Sequence, residues 1–179
     1  MQVVAEGGIT ASHIAERLII NPETGQVWRK WEPASFNNYG SKLIPAGTKA
    51  WNGYIIINYP ISNRKYKKIR AHHLVWMWAY GEWPDREIDH INGDRSDNRI
   101  GNLRKATVAQ NRTNKVRQSN NRSGFKWVSK FGSRYRAEIQ QNRRRVYSSF
   151  HDTPEAAYAA ACIAAKEIFG EWYNCGEKI

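Results

Sequence analysis

The sequence predicts an α+β chain: a small antiparallel sheet leads into a strand, loop, strand, helix module, and a three-stranded antiparallel sheet packed on one helix follows. Three observations predict it. Short β-branched or aromatic runs bounded by Gly, Asn, Pro and Ser lie at 26–31, 53–59 and 65–70, the mark of antiparallel strands. The stretch 87–115 passes through a brief strand at 87–91, a polar loop from Asn92 to Asn98, a second strand at 103–107 and a helix at 108–115 capped by Thr107. Three more strand-like runs, at 124–129, 134–140 and 145–150, precede an alanine-rich segment at 154–169 that has Thr153 as cap, Pro154 in its first position and Gly170 just past its end. Those are helix start and stop signals.

The other elements follow from local rules. Thr10 caps a short helix over 10–18 that carries Ile14 and Leu18 on one face, and the turn Asn21-Pro22-Glu23-Thr24-Gly25 ends it. Residues 71–80 place Leu74, Val75 and Trp78 at helical spacing and stop at Gly81. Residues 117–122 are rich in Ser, Asn and Gln and hold no apolar side chain, the composition of a linker. The expected organisation is one domain over 1–116, a linker over 117–123 and a second domain over 124–179.

A chain of 179 residues has room for two small cores and none for a large multidomain enzyme. Lys and Arg number 28 against 16 Asp and Glu, a net charge of +12, which points to nucleic acid as partner. With 41% hydrophobic residues and eight Trp, the chain is a folded protein and not a basic tail. Two cysteines, Cys162 and Cys175, form no CxxC pair, which excludes a zinc ribbon and leaves both expected to be inert. A leader with acidic residues where a signal peptide needs basic ones, and the lack of a long apolar run, set the expectations of a cytoplasmic location and no membrane span.

The chemistry-bearing string is Ile88-Asp89-His90-Ile91-Asn92-Gly93-Asp94, followed by Asp97-Asn98-Arg99-Ile100-Gly101-Asn102-Leu103-Arg104 and then Gln110-Asn111. Hydrolysis of a phosphodiester needs a water deprotonated near neutral pH, and imidazole titrates closest to that pH; His90 is the candidate base. The negative charge that develops in the transition state calls for a hard divalent cation on oxygen ligands. Neighbours on a regular strand face opposite sides, so Asp89 and His90 share one site only where the strand ends or distorts, and Asn92-Gly93 supplies such a break. His72 and His73 are expected to be structural, and Asp94 and Asp97 to be loop and cap residues.

This spaced set, extended back through His72-His73-Leu74-Val75-Trp76, resembles the HNH endonuclease family in its phage and intron-encoded branch, over about residues 21–115. The resemblance implies a ββα-metal nuclease module. It makes His90 the general base, Asp89 and Asn111 the ligands of a magnesium ion, with manganese as the alternative metal, and Asn102 the residue that accepts a hydrogen bond from Nδ1 of His90. It also implies a phage or mobile-element enzyme of the homing type that leaves 3′-hydroxyl and 5′-phosphate ends on double-stranded DNA, with no small-molecule substrate. A non-cutting DNA-binding regulator on the same scaffold is the alternative. The oligomeric state is open.

Residues 122–128, 135–139 and 150–157, with Gly170-Glu171 and Asn174, resemble the DNA-binding domain of plant ethylene-response (APETALA-type) transcription factors over about 120–174. Alternation along the strands sets Tyr135, Ala137 and Ile139 against Arg134, Arg136, Glu138 and Gln140, and sets Val146, Ser148 and Phe150 against Arg145, Tyr147 and Ser149. One face is then apolar and the other basic. Between Arg117 and Arg145 there are nine basic residues and one acid, Glu138. Lys126, Arg134, Arg136, Arg143, Arg145 and Tyr147 are the candidate DNA contacts on a sheet face that enters the major groove.

Overall fold

The computed structural model describes residues 9–30, 43–62, 65–114 and 121–174. The chain divides into two compact units, one made of Met1–His90 and Asp94–Lys105 and the other of Ile91–Gly93 and Ala106–Ile179. Among the described residues no helix is long and apolar enough to cross a membrane.

The first unit opens with α1 (Ala11–Arg17), whose N-cap Thr10 accepts a hydrogen bond from the His13 backbone N–H while the His13 ring accepts one from the Thr10 backbone N–H. A short strand β1 (Leu18–Asn21) follows and pairs antiparallel with β2 (Gln26–Arg29). The sequence signalled a turn here, and the turn is present, held by Asn21 Oδ1 accepting from the backbone of Glu23 and Thr24. It closes a hairpin: Leu18 and Ile20, on alternate positions of β1, both reach the core. β3 (Ile44–Pro45) adds to β2, and β4 (Thr48–Lys49) pairs with β5 (Ile55–Ser62), which pairs with β6 (Lys65–Arg70). The expected strand at 53–59 starts two residues late because residues 50–53 form a tight turn, closed by the Gly53 N–H donating to the Ala50 carbonyl.

Helix α2 (Ala71–Tyr80) packs Leu74, Val75 and Met77 against Ile14, Val27, Ile57 and Ile69, so all the preceding sheets share one core. It ends at Gly81 in the left-handed conformation, as the Gly signal predicts. Trp76 is buried and Trp78 is half exposed. β7 (Glu87–His90) and β8 (Leu103–Ala106) make a two-stranded sheet, with a 3-10 turn at Ile100–Asn102 just ahead of β8.

The second unit contains α3 (Val108–Thr113), with a reciprocal capping box between Thr107 and Gln110. The helix stops two residues short of its expected end, and the expected linker lies largely outside the described residues. A three-stranded sheet, β9 (Val128–Phe131), β10 (Arg134–Gln141) and β11 (Arg144–His151), is ordered β11-β10-β9 and packs on α4 (Pro154–Phe169). Ala157, Ala161, Ala164 and Ala165 are buried, and these small side chains let the helix lie close on Val128, Ala137 and Ile139.

The first strand of this sheet begins at Val128 and not at 124, because Trp127 adopts a φ of +65°, a left-handed conformation that breaks extended backbone. The two faces of β11 are also the reverse of those read by alternation. Tyr147 lies opposite Ile139 and Ser149 opposite Ala137; directly opposed residues share a face, so Tyr147 points under the helix while Val146 and Phe150 are exposed. A register shift between Ile139 and Gln140 changes the pairing only on the turn side of Tyr147.

Gly25, at a φ of +68°, sits where a Cβ would stand 2.3 Å from the backbone carbon of Asn98, and the Ile100 N–H donates to the Pro22 carbonyl at 2.8 Å. The first hairpin is therefore pressed against the loop after β7. Gly25→Ala is expected to lower unfolding stability by about 1–3 kcal/mol, read by urea denaturation, since both the backbone conformation and the contact oppose a methyl group.

Candidate active site

The site is built where β7 stops. Asp89 and His90 are 4% and 3% exposed, so both neighbours are buried although a continuing strand would turn one of them outward. The chain leaves the strand directly after His90, through a turn in which Gly93 has a φ of +77°, and this is what lets both side chains stay inside.

His90 is held from two directions. Its Nε2 lies 3.1 Å from Asn98 Oδ1; an amide oxygen only accepts, so the proton sits on Nε2 and the ring lone pair on Nδ1. The other restraint is aromatic. The His72 ring meets the His90 ring edge-on with centroids 4.9 Å apart, and Tyr54 tilts against both, at 5.3 Å and 5.9 Å. Burial, the dominant cause, lowers the His90 pKa from its ordinary 6.5, against the opposing influence of the Asn98 hydrogen bond and of Asp89, Asp94 and Asp97. The ring is thus biased toward the neutral form that a base requires.

His72 is more strongly affected. It is buried, its Nδ1 has no hydrogen-bond partner among the described residues, and burial together with His73, His90 and Arg70 pushes its pKa well down. It serves as a neutral wall to the His90 ring, in line with the structural role expected of it.

Asp89 is anchored by Arg104, whose Nε donates to Oδ2 at 3.0 Å. The pairing strand β8 brings Arg104 there, and the guanidinium compensates a carboxylate that burial alone would penalise. Asn102 closes the intervening loop by donating from Nδ2 to the Asp97 carbonyl at 2.8 Å, while Asp97 makes a two-point ion pair with Arg99. Asp94 accepts from the Ser96 backbone and hydroxyl, the loop role the sequence suggested. The sequence assigned the ring contact to Asn102 through Nδ1; the contact at Nε2 comes from Asn98. The signal for Asn98 was in the sequence, as one of several amides in the loop, but nothing in the spacing singled it out.

The first unit therefore brings Asp89, His90, Asn98, Asn102 and Arg104 into one constellation, and Asn111 lies on α3 in the second unit. Among the described residues no three His, Cys, Asp or Glu side chains gather into a metal cage. The donor chemistry at Asp89 is a single hard carboxylate oxygen set. That fits a cation that keeps most of its shell for water and phosphate oxygens, and it does not fit a tightly caged transition metal.

On the second unit, the candidate DNA contacts separate into two groups. Lys126 is engaged internally: its Nζ donates to the carbonyls of Thr113 and Asn174 and lies 4.1 Å from the Trp127 ring centroid. Tyr147 belongs to the core under α4, with its hydroxyl bonded to Ser149. Arg134, Arg136 and Arg145 lie on the other sheet face, where Arg136 and Arg145 reach Glu138 at 3.3 Å and 3.1 Å and Arg134 reaches Asp152 at 3.2 Å. Arg143 is exposed in the β10–β11 turn, at a φ of +64°. Phe131 and Phe150 stand exposed on the same face as Arg134 and Arg136, with ring centroids 5.5 Å apart, the guanidinium of Arg136 5.6 Å over Phe131 and that of Arg134 6.0 Å over Phe150. Sequence alternation missed this pair because it placed Phe150 on the apolar side.

Residues 70–113 match the family described as HNH endonuclease. The matched stretch runs from the start of α2 to the end of α3 and contains Asp89, His90, Asn98, Asn102, Arg104 and Asn111. Over 116 residues the chain is 31% identical to a protein of Acanthamoeba polyphaga mimivirus described as an uncharacterized HNH endonuclease, covering 64% of this chain and 60% of that one. The chain thus spans about three fifths of the relative's length. No solved structure gives a significant match.

The histidines make folding stability depend on pH. A buried His72 with a lowered pKa binds fewer protons in the folded than in the unfolded chain, so stability is complete above the ordinary value of 6.5 and falls as pH drops below it. Thermal melts between about pH 7.5 and pH 5 are expected to show a falling midpoint, with a shallower fall in His72→Gln.

Proposed function

We propose that the chain is a metal-dependent DNA endonuclease of the homing type that cuts phosphodiester bonds to 3′-hydroxyl and 5′-phosphate ends. The observation that carries this is the buried Asp89 and His90 pair at the end of β7, each side chain fixed by its own partner, inside the segment that matches the HNH endonuclease family.

In this account His90 takes the proton from the attacking water at Nδ1, the nitrogen left with the lone pair when Nε2 faces Asn98. Asn98 fixes the ring plane and stabilises the imidazolium as it forms. Asp89 would hold the divalent cation, magnesium or manganese, which when bound supplies charge neutralisation at the phosphate and the leaving 3′-oxygen. Arg104 keeps the Asp89 carboxylate oriented, and Asn102 holds the loop that carries Asn98. The second unit anchors duplex DNA through the Arg134, Arg136, Arg143 and Arg145 face, with Phe131 and Phe150 as apolar contacts to sugars or thymine methyls.

The test is incubation of supercoiled plasmid with the full chain, with magnesium or with EDTA. Metal-dependent nicked or linear product is expected. It should vanish in His90→Ala with binding kept within a few fold, and slow by roughly 10–100-fold in Asn98→Ala. Arg134→Ala with Arg136→Ala is expected to weaken binding and flatten its salt dependence. Undiminished cleavage by His90→Ala would overturn the assignment; tight binding with no cleavage under any metal would favour the non-cutting regulator.

A further inference from the structure

Trp51 stands at the tip of the β4–β5 hairpin and is 99% exposed. An indole with no burial at all is unusual, because its large apolar surface drives it into cores or interfaces. The turn that presents it is held firmly. Ala50 and Tyr54 are joined by a backbone hydrogen bond at 2.8 Å, the Gly53 N–H donates to the Ala50 carbonyl at 2.8 Å, and the Arg95 guanidinium donates to the Asn52 carbonyl at 2.8 Å.

The same turn is tied to the loop that follows the Asp89 and His90 pair. Lys49 Nζ lies 3.3 Å from Ser96 Oγ, the side chain of Arg95 runs alongside Gly53, and Tyr54, three residues after Trp51, carries Arg70 and Arg95 over its ring at 5.0 Å each while touching His90. Lys49, Arg70 and Arg95 supply positive charge with no acidic side chain in the turn itself. A rigid, bare indole beside a cluster of cations matches a strand of nucleic acid: the cations take phosphates, and the ring takes a base face or a base step. A protein partner would call for a wider apolar surround than one ring among charges.

We propose that Trp51 is a wedge that enters the base stack of duplex DNA next to the bond being cut, with Lys49, Arg70 and Arg95 seating the backbone so that the scissile phosphate faces His90. This rests on the nuclease assignment above and adds a residue that distorts the substrate.

The test uses the full chain carrying His90→Ala, so that no strand is cut, on relaxed plasmid DNA with a metal-independent topoisomerase I. A ring inserted between base pairs unwinds the duplex, and after relaxation and removal of protein the plasmid should be negatively supercoiled. Adding Trp51→Ala should abolish that shift and weaken plasmid binding by about tenfold, while Trp51→Phe should retain most of the shift. Because Trp51 is bare to solvent, its truncation should leave the thermal midpoint unchanged, which separates loss of insertion from loss of fold. Binding with an undiminished shift in Trp51→Ala, or with no shift in the parent protein, overturns the wedge and leaves the nuclease assignment standing. No plasmid binding by the parent overturns both.

Discussion

The site depends on where β7 ends. Alternation along a strand would send Asp89 and His90 to opposite sides, and a catalytic pair built from neighbours would then be impossible. Ending the strand at His90 keeps both inside, and everything around them serves to hold that ending in place. The first hairpin presses on Asn98 with only a glycine at the contact, the Pro22 carbonyl takes the Ile100 N–H, and Asn102 ties the loop to Asp97. The N-terminal strands are thus the back wall of the loop that positions the histidine.

Burial then settles the electrostatics in opposite ways for the two residues. Asp89 is buried against the guanidinium of Arg104, whereas burial pushes His90 toward neutrality despite three nearby aspartates. The rings of His72 and Tyr54 pack on the imidazole and complete its enclosure. An uncharged imidazole is the form in which a histidine can take a proton from water.

Much of this was legible in the sequence because it rests on local rules. Thr107 with Gln110 and Thr153 with Pro154 marked their helices, Gly81 marked the end of α2, and the string from Asp89 through Asn102 to Asn111 falls inside the stretch that matches the HNH endonuclease family. The parts that were not legible depend on non-local packing. The choice of Asn98 as partner of His90 follows from the position of the first hairpin, about seventy residues earlier in the chain. The inversion of the β11 faces follows from the pairing that sets Tyr147 opposite Ile139 and Ser149 opposite Ala137, which alternation within β11 alone does not fix. Lys126 read as a DNA contact from its charge, yet two backbone carbonyls claim it, and the exposure of Trp51 depends on the turn that carries it.

The central claim is that a buried, neutral His90 removes the proton from the attacking water. The most direct measurement is the pH dependence of kcat/KM for metal-supported plasmid nicking at constant ionic strength. Since kcat/KM reports the free enzyme, the acidic limb should fall with a midpoint below 6.5, the ordinary histidine value from which burial lowers His90. A midpoint at or above 6.5, or a rate that does not decline on the acid side, would contradict it.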